Sequence, residues 1–120
     1  MASALRGGRG QAFLRELRAA LDAMPVKELI ADELVADGCM CTLGVVGAAR
    51  GVDMQAIDAH NYRKVAETFG IARAMAQEVM FINDEGGWRY DKETPAQRWE
   101  RMRSWVDEQL RPEMGEVRHG

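Results

Sequence analysis

The sequence predicts an all-α single domain, a bundle of about five short helices. Three observations predict it. Apolar residues recur every three or four positions along most of the chain. Capping residues punctuate those runs at Thr42, Gly51, Gly70 and Thr94. The 120 residues, 47% hydrophobic and 29% charged, suit one cooperative core rather than two units or a disordered chain. The helical domain is expected over residues 11–111, between flexible tails at 1–10 and 112–120.

The first helix follows from Phe13, Leu14, Leu17, Ala20, Leu21 and Met24 on one face, with Arg15, Glu16, Arg18 and Asp22 opposite. Pro25 ends it and suits the first turn of a second helix, whose stripe is Val26, Leu29, Ile30 and Leu34 against Lys27, Asp32 and Glu33. Asp37 and Gly38 are expected to close that helix. The next run, "CMCTLGVVGAARG", is apolar nearly all round, which fits a buried helix or a buried strand. Thr42 as an N-cap and Gly51 as a C-cap favour a short central helix, on which Gly44, Gly47, Ala48 and Ala49 offer a face for close packing.

"VDMQAIDAH" is a connector. Asn61 then caps a helix running through Phe69, and Gly70 ends it. Residues 71–82 resume helical spacing at Ile71, Met75, Val79 and Ile82, and Met80 and Phe81 widen the apolar arc, predicting a helix enclosed on two sides. In "TPAQ", Thr94 is the N-cap, Pro95 the first helical residue and Gln97 the partner in a capping box. This last helix is expected to run to about Arg111, with Trp99, Met102, Val106 and Leu110 inward. The expected core is Leu17, Leu21, Leu29, Ile30, Leu43, Val46, Phe69, Met75, Val79, Trp99, Met102 and Val106.

Several chemistries lack their residues. A formal charge of −3 gives no general pull towards phosphate, so nucleic acid is not an expected partner without a local basic patch. No run approaches the ~18 apolar residues of a membrane span, and "MASALRGGRG" lacks the apolar stretch of a signal peptide, so a cytoplasmic protein is expected. Cys39 and Cys41 are too close for a comfortable disulfide. Their apolar neighbours predict buried, inert thiols of raised pKa, and His60 is the one base within the helical domain that could activate them.

A zinc site wants four ligands, and His60 and His119 are the only histidines. An EF-hand register in "NDEGGW" fails, because placing Gly86 or Gly87 sixth puts Phe81 or Ile82 first. No metal, no cofactor and no catalysis are therefore expected. Residues 66–79, "AETFGIARAMAQEV", have the alanine, glycine and isoleucine spacing of a helix-turn-helix. This makes a DNA-binding regulator using residues 63–82, with Arg73 and Gln77 as its contacts, the alternative reading. Its second helix, however, is expected to be apolar on too many sides to lie in a groove.

The stretch "NDEGGWRYDKETPAQRWERMRSW" carries more aromatic and guanidinium groups than one docking stripe needs. Trp88, Tyr90, Arg98, Arg101 and Trp105 are expected to form a patch that binds another protein, since Trp, Tyr and Arg dominate binding hot spots. Arg101 and Trp105, one helical turn apart, can stack. Arg98, Arg101 and Arg103 sit near a helix N-terminus, against its dipole, and call for an acidic neighbour. The acid-rich segment 26–58 is the expected one.

The pieces "FLRELRAALDAMP", "CTLGVVGAARG", "VAETFGIARAMAQEVMFINDEGGW" and "ETPAQRWERMRSWV" together resemble uncharacterised small proteins of bacteriophages and prophages of high-GC bacteria. The resemblance covers residues 12–110, and "ETPAQRW" with a tryptophan downstream is its most specific part. Thirteen arginines against three lysines fit a GC-rich coding sequence. The resemblance implies a phage or prophage source in a bacterial host and a non-enzymatic interaction module that binds and modulates a host or defence component; by its length and composition the chain is expected to fold alone or as a small oligomer, homodimer included.

Overall fold

A computed structural model describes residues 5–31, 33–36, 38–85 and 93–111. Among them the chain forms five helices, α1 (Gly8–Ala23), α2 (Thr42–Arg50), α3 (Tyr62–Phe69), α4 (Arg73–Glu85) and α5 (Pro95–Gln109), and one small antiparallel hairpin, β1 (Val35–Ala36) with β2 (Cys39–Met40). The fold is mostly helical rather than purely all-α. α1 packs against α2 and α5, α2 also rests on α4, and α3 and α4 form a hairpin of helices.

The hairpin replaces the second helix expected after Pro25. Backbone donors in that segment look outward to other elements instead of back along a helix: Leu29 N–H donates to Pro95 O at 3.0 Å and Ile30 N–H to Met40 O at 2.9 Å. Val26, placed on the expected stripe, is 61% exposed. Gly38 does adopt the left-handed conformation (φ 80°), but within the turn between β1 and β2. An Asp-Gly pair is a strong two-residue hairpin signal, and Gly38 serves the hairpin rather than the expected helix cap. Asp32 and Asp37 lie outside the described residues.

The run after the hairpin is helical from Thr42. Thr42 is the first helical residue rather than the cap: Cys41 is the N-cap, and its thiol accepts weakly from Gly44 N at 3.5 Å. Gly51 closes α2 with φ 76° as expected. Glycine at 44 is a packing requirement, because a Cβ there would collide with the Leu34 carbonyl. Gly47 faces the Met54 side chain in the same way.

α3 begins as expected, with Asn61 Oδ1 accepting from Lys64 N at 3.1 Å, and ends at Gly70 (φ 69°). α5 begins with the full capping box of Thr94 and Gln97. α1 starts at Gly8, earlier than expected, and Leu5 is buried, so the fold takes in residues assigned to the tail. The expected tail 112–120 lies outside the described residues.

Every residue of the expected core is buried except Ile30 and Trp99, which pack half-buried against it. Phe13 and Phe69 join α1 to α3 edge to face, with centroids 6.0 Å apart. Gln11, itself buried, ties the first helix to the last: its Nε2 donates to Gln109 O at 3.0 Å and its Oε1 accepts from Arg111 N at 2.8 Å.

Candidate functional site

A helix end leaves carbonyls without partners, and cations near them are favourable. Four of the five helices, α1, α3, α4 and α5, have no basic residue in their own last turn. Tertiary structure supplies donors instead. Lys27 Nζ reaches Asp22 O at 3.0 Å and Met24 O at 2.6 Å at the end of α1, and Trp99 Nε1 donates to Leu21 O at 3.2 Å. Arg50 Nη1 reaches Phe69 O at the end of α3 at 3.2 Å, while its other nitrogens grip Glu16 at 2.6 and 2.7 Å.

The end of α4 takes two of the arginines assigned to the partner-binding patch. Arg98 Nε donates to Asn83 O at 3.0 Å. Arg101 donates to Ile82 O at 2.6 Å and to Asn83 O at 3.1 Å. The acidic neighbour their dipole conflict calls for is Glu93, one residue before the Thr94 cap and only 14% exposed in its side chain. Arg101 holds it at 2.6 and 2.9 Å, and Arg98 Nε lies 3.3 Å away. The Arg101 guanidinium keeps the Glu93 carboxyl below its usual pKa despite desolvation by burial, with Arg98 adding to the effect.

Arg103 meets a different acid. Its Nε and Nη2 hold Asp22 of α1 at 2.6 and 3.0 Å. Its Nη1 lies 2.8 Å from Asp107 Oδ1 as an ion pair without the alignment of a hydrogen bond. Among the described residues the three arginines of α5 are therefore met by Glu93, Asp22 and Asp107, not by acids of segment 26–58.

Arg101 does not spend its fork on Trp105. Among the described residues the rings beneath a cation are Trp99, under Lys27 at 5.4 Å, and Phe13 and Phe69, under Arg50 at 5.9 and 5.6 Å. Trp105 is half-buried against the core. Trp88 and Tyr90 lie outside the described residues. Of the five patch residues the structure thus brings Arg98 and Arg101 together on the end of α4 and sets Trp105 at the edge of the core.

Behind this cluster lies Asn83, one residue past the helix expected over 71–82. Asn83 belongs to α4, which continues three residues past the expected end at 82, and it is fully buried. Its Oδ1 accepts from Thr42 N at 3.1 Å and Thr42 Oγ1 at 2.7 Å. Its Nδ2 donates to Ile30 O at 2.9 Å and Asp84 Oδ1 at 2.8 Å. One amide side chain thus satisfies the start of α2 and the segment before β1, while its backbone carbonyl receives Arg98 and Arg101. The signal was present: Asn83 follows Val79 by four residues and Met80 by three, on the buried face of α4.

Among the described residues nothing covers the outer side of α5. Ala96, Gln97, Glu100, Arg101 and Ser104 line a shallow hollow of about 470 Å³. Arg101 is its wall, fixed by Glu93 and the end of α4.

The thiols separate. Cys41 is fully buried and desolvation pushes its pKa up to about 12, so it is a neutral N-cap acceptor. Cys39, expected to be buried, is exposed on β2, because the hairpin rather than a helix carries it. His60 is exposed beside Asp58, whose Oδ1 lies 3.7 Å from its Nδ1. Among the described residues no group of three or more His, Cys, Asp or Glu side chains could hold a metal ion, and no helix is long and apolar enough to cross a membrane.

Arg73 and Gln77, the contacts of the helix-turn-helix alternative, stand exposed one turn apart on α4. No protein-family model, curated protein or solved structure matches the chain.

Proposed function

We propose that this chain is a non-enzymatic module that binds another protein through the outer side of α5, from Ala96 to Ser104. The observation that carries this reading is the 470 Å³ hollow with a fixed arginine as its wall. Arg101 is held by a carboxylate and two carbonyls before any partner arrives, so docking costs little of its side-chain entropy. Ala96 and Ser104 are small enough for a close backbone approach. Glu100 is exposed and offers an acceptor, which fits a segment bringing a cation or a hydrogen-bond donor beside a small apolar side chain.

This moves the contact away from the guanidinium of Arg98 and towards Gln97, Glu100 and Ser104, with Trp105 at the edge. The resemblance to small bacteriophage and prophage proteins supplies the class of partner, a host or defence component.

Ala96→Arg and Glu100→Arg fill and reverse the face without touching the core. Both variants should melt within about 0.5 kcal/mol of the parent, as surface changes do, and should lose the protein that the parent captures from host lysate. Retention of that protein by both variants would sink the reading.

A further inference from the structure

We infer that the α3–α4 hairpin is a second, independent interaction surface that reads duplex DNA, with Arg73 and Gln77 as its base contacts. The objection raised by the sequence was an apolar arc too wide for a groove. The structure narrows that arc: Met75, Ala76, Val79 and Met80 are buried, whereas Phe81 is 57% exposed. Arg73, Gln77 and Phe81, at i, i+4 and i+8, form an exposed stripe along α4.

The joint between the helices is tight. Only residues 70–72 separate α3 from α4; Gly70 is left-handed, and Ile71 N–H returns to Ala66 O at 3.1 Å. A three-residue turn containing glycine is the joint of a helix-turn-helix. Ala66, Phe69 and Ile71 are buried around it, which fixes the two helices against each other. Arg73 and Gln77 occupy the first and fifth positions of the second helix, the end that enters the major groove in such motifs.

The chemistry at these positions suits base edges. Arginine donates in pairs to guanine O6 and N7, and glutamine pairs with adenine N6 and N7. Both side chains are exposed, and neither has a hydrogen bond or ion pair among the described residues. Four residues of helix rise about 6 Å, close to two base-pair steps of about 3.4 Å. The inferred site therefore carries a guanine and an adenine within about two base pairs.

The cations near the hairpin sit where the phosphates would lie. Arg63 and Lys64 are exposed in the first turn of α3, where the first helix of such a motif crosses the phosphate backbone. Arg9 lines a hollow of about 270 Å³ shared with Ile71 and Ala72, at the start of α4. Against these three cations and Arg73 stand Glu67, exposed, and Glu78 and Asp84, half-buried, on the same two helices. The overall charge of −3 keeps sequence-independent affinity low, so discrimination must come from the stripe itself.

The test is selection of bound duplexes from a random-sequence library by the full chain at about 50 mM salt, followed by affinity measurement on the winners. Enrichment of a motif with guanine and adenine at that spacing is expected. Arg73→Ala and Gln77→Ala should each weaken binding to it by about 5- to 150-fold, and Arg73→Lys should lose the guanine preference while keeping its charge. Both positions face solvent, and circular dichroism checks that the three variants fold. Failure to enrich any duplex overturns the inference. So does a winner bound equally by Arg73→Ala and Gln77→Ala, or binding that weakens alike for every sequence, which would make Arg73 a phosphate contact only. None of these outcomes bears on the α5 surface.

Discussion

Thr42 Oγ1 donates to Asn83 Oδ1 across 2.7 Å, and both residues are fully buried. The bond joins residues 41 positions apart and fastens the first turn of α2 to the last turn of α4. Removing the Asn83 amide would leave the Thr42 N–H and hydroxyl and the Ile30 carbonyl without those partners in a buried site, at about 1–3 kcal/mol for an unsatisfied group. Asn83→Ala should therefore destabilise by about 2–4 kcal/mol in urea melts. Thr42→Val, which deletes only the hydroxyl partner, should cost less. Equal and small losses for both would refute the shared network.

Arg101 tests fold against function in the direction opposite to the one its sequence position suggests. As a bare hot spot its removal would leave folding untouched. As the cap of α4 and the partner of Glu93, its truncation to alanine should cost about 1–3 kcal/mol of stability, read as a lower melting temperature. An unchanged melting temperature would return Arg101 to the surface.

Acid should loosen the molecule through three carboxylates. Arg101 lowers the pKa of Glu93, Arg50 that of Glu16 and Arg103 that of Asp22. A folded-state value below the unfolded one means that each contributes stability above the unfolded pKa, about 4.5 for the glutamates and 3.8 for the aspartate, and loses it as pH falls through the lower folded value. Glu93 is the least exposed of the three, so solvent screens it least. Glu93→Gln should flatten the fall in stability between about pH 5 and pH 2; an unchanged profile would assign acid sensitivity elsewhere.

The two α2 glycines should respond differently to alanine. In a helix that change gains about 1 kcal/mol of propensity. At Gly44 the obstacle is the Leu34 backbone carbonyl, which cannot swing aside, so overpacking of about 1–3 kcal/mol should win. At Gly47 the obstacle is the flexible Met54 side chain, and the net change should be smaller. The reverse order in thermal melts would contradict the packing of α2 on the hairpin segment.

Under native conditions iodoacetamide should modify one cysteine. Cys39 is exposed, whereas Cys41 is buried with its pKa pushed up to about 12, which leaves almost no thiolate at neutral pH. Mass spectrometry should find one adduct on Cys39 until denaturant is added. Prompt labelling of Cys41 would mean that the start of α2 opens readily.

What the sequence made legible was local. Thr94, Pro95 and Gln97 announce α5 because the capping box is a contact within four residues, and Asn61 and Gly70 bound α3 for the same reason. Residues 25–38 misled because Pro25, Val26, Leu29 and Ile30 satisfy helical spacing, while the partners of their backbone groups, Pro95 O and Met40 O, are not visible from within the segment. The placement of the candidate site's residues was hidden in the same way. Guanidinium density near α5 was legible, but that Arg98 and Arg101 finish α4 depends on how two helices meet, and that Phe81 faces outward depends on which side of α4 the core takes.

The Gln11 latch has a consequence for how the molecule opens. Its amide holds Gln109 and Arg111 from a position 98 to 100 residues away, so fraying at one end removes a partner from the other. The first turn of α1 and the last turn of α5 belong to one cooperative unit rather than two loose ends. Their amides should exchange with solvent deuterium together, and Gln11→Ala should speed exchange at both ends of the fold at once.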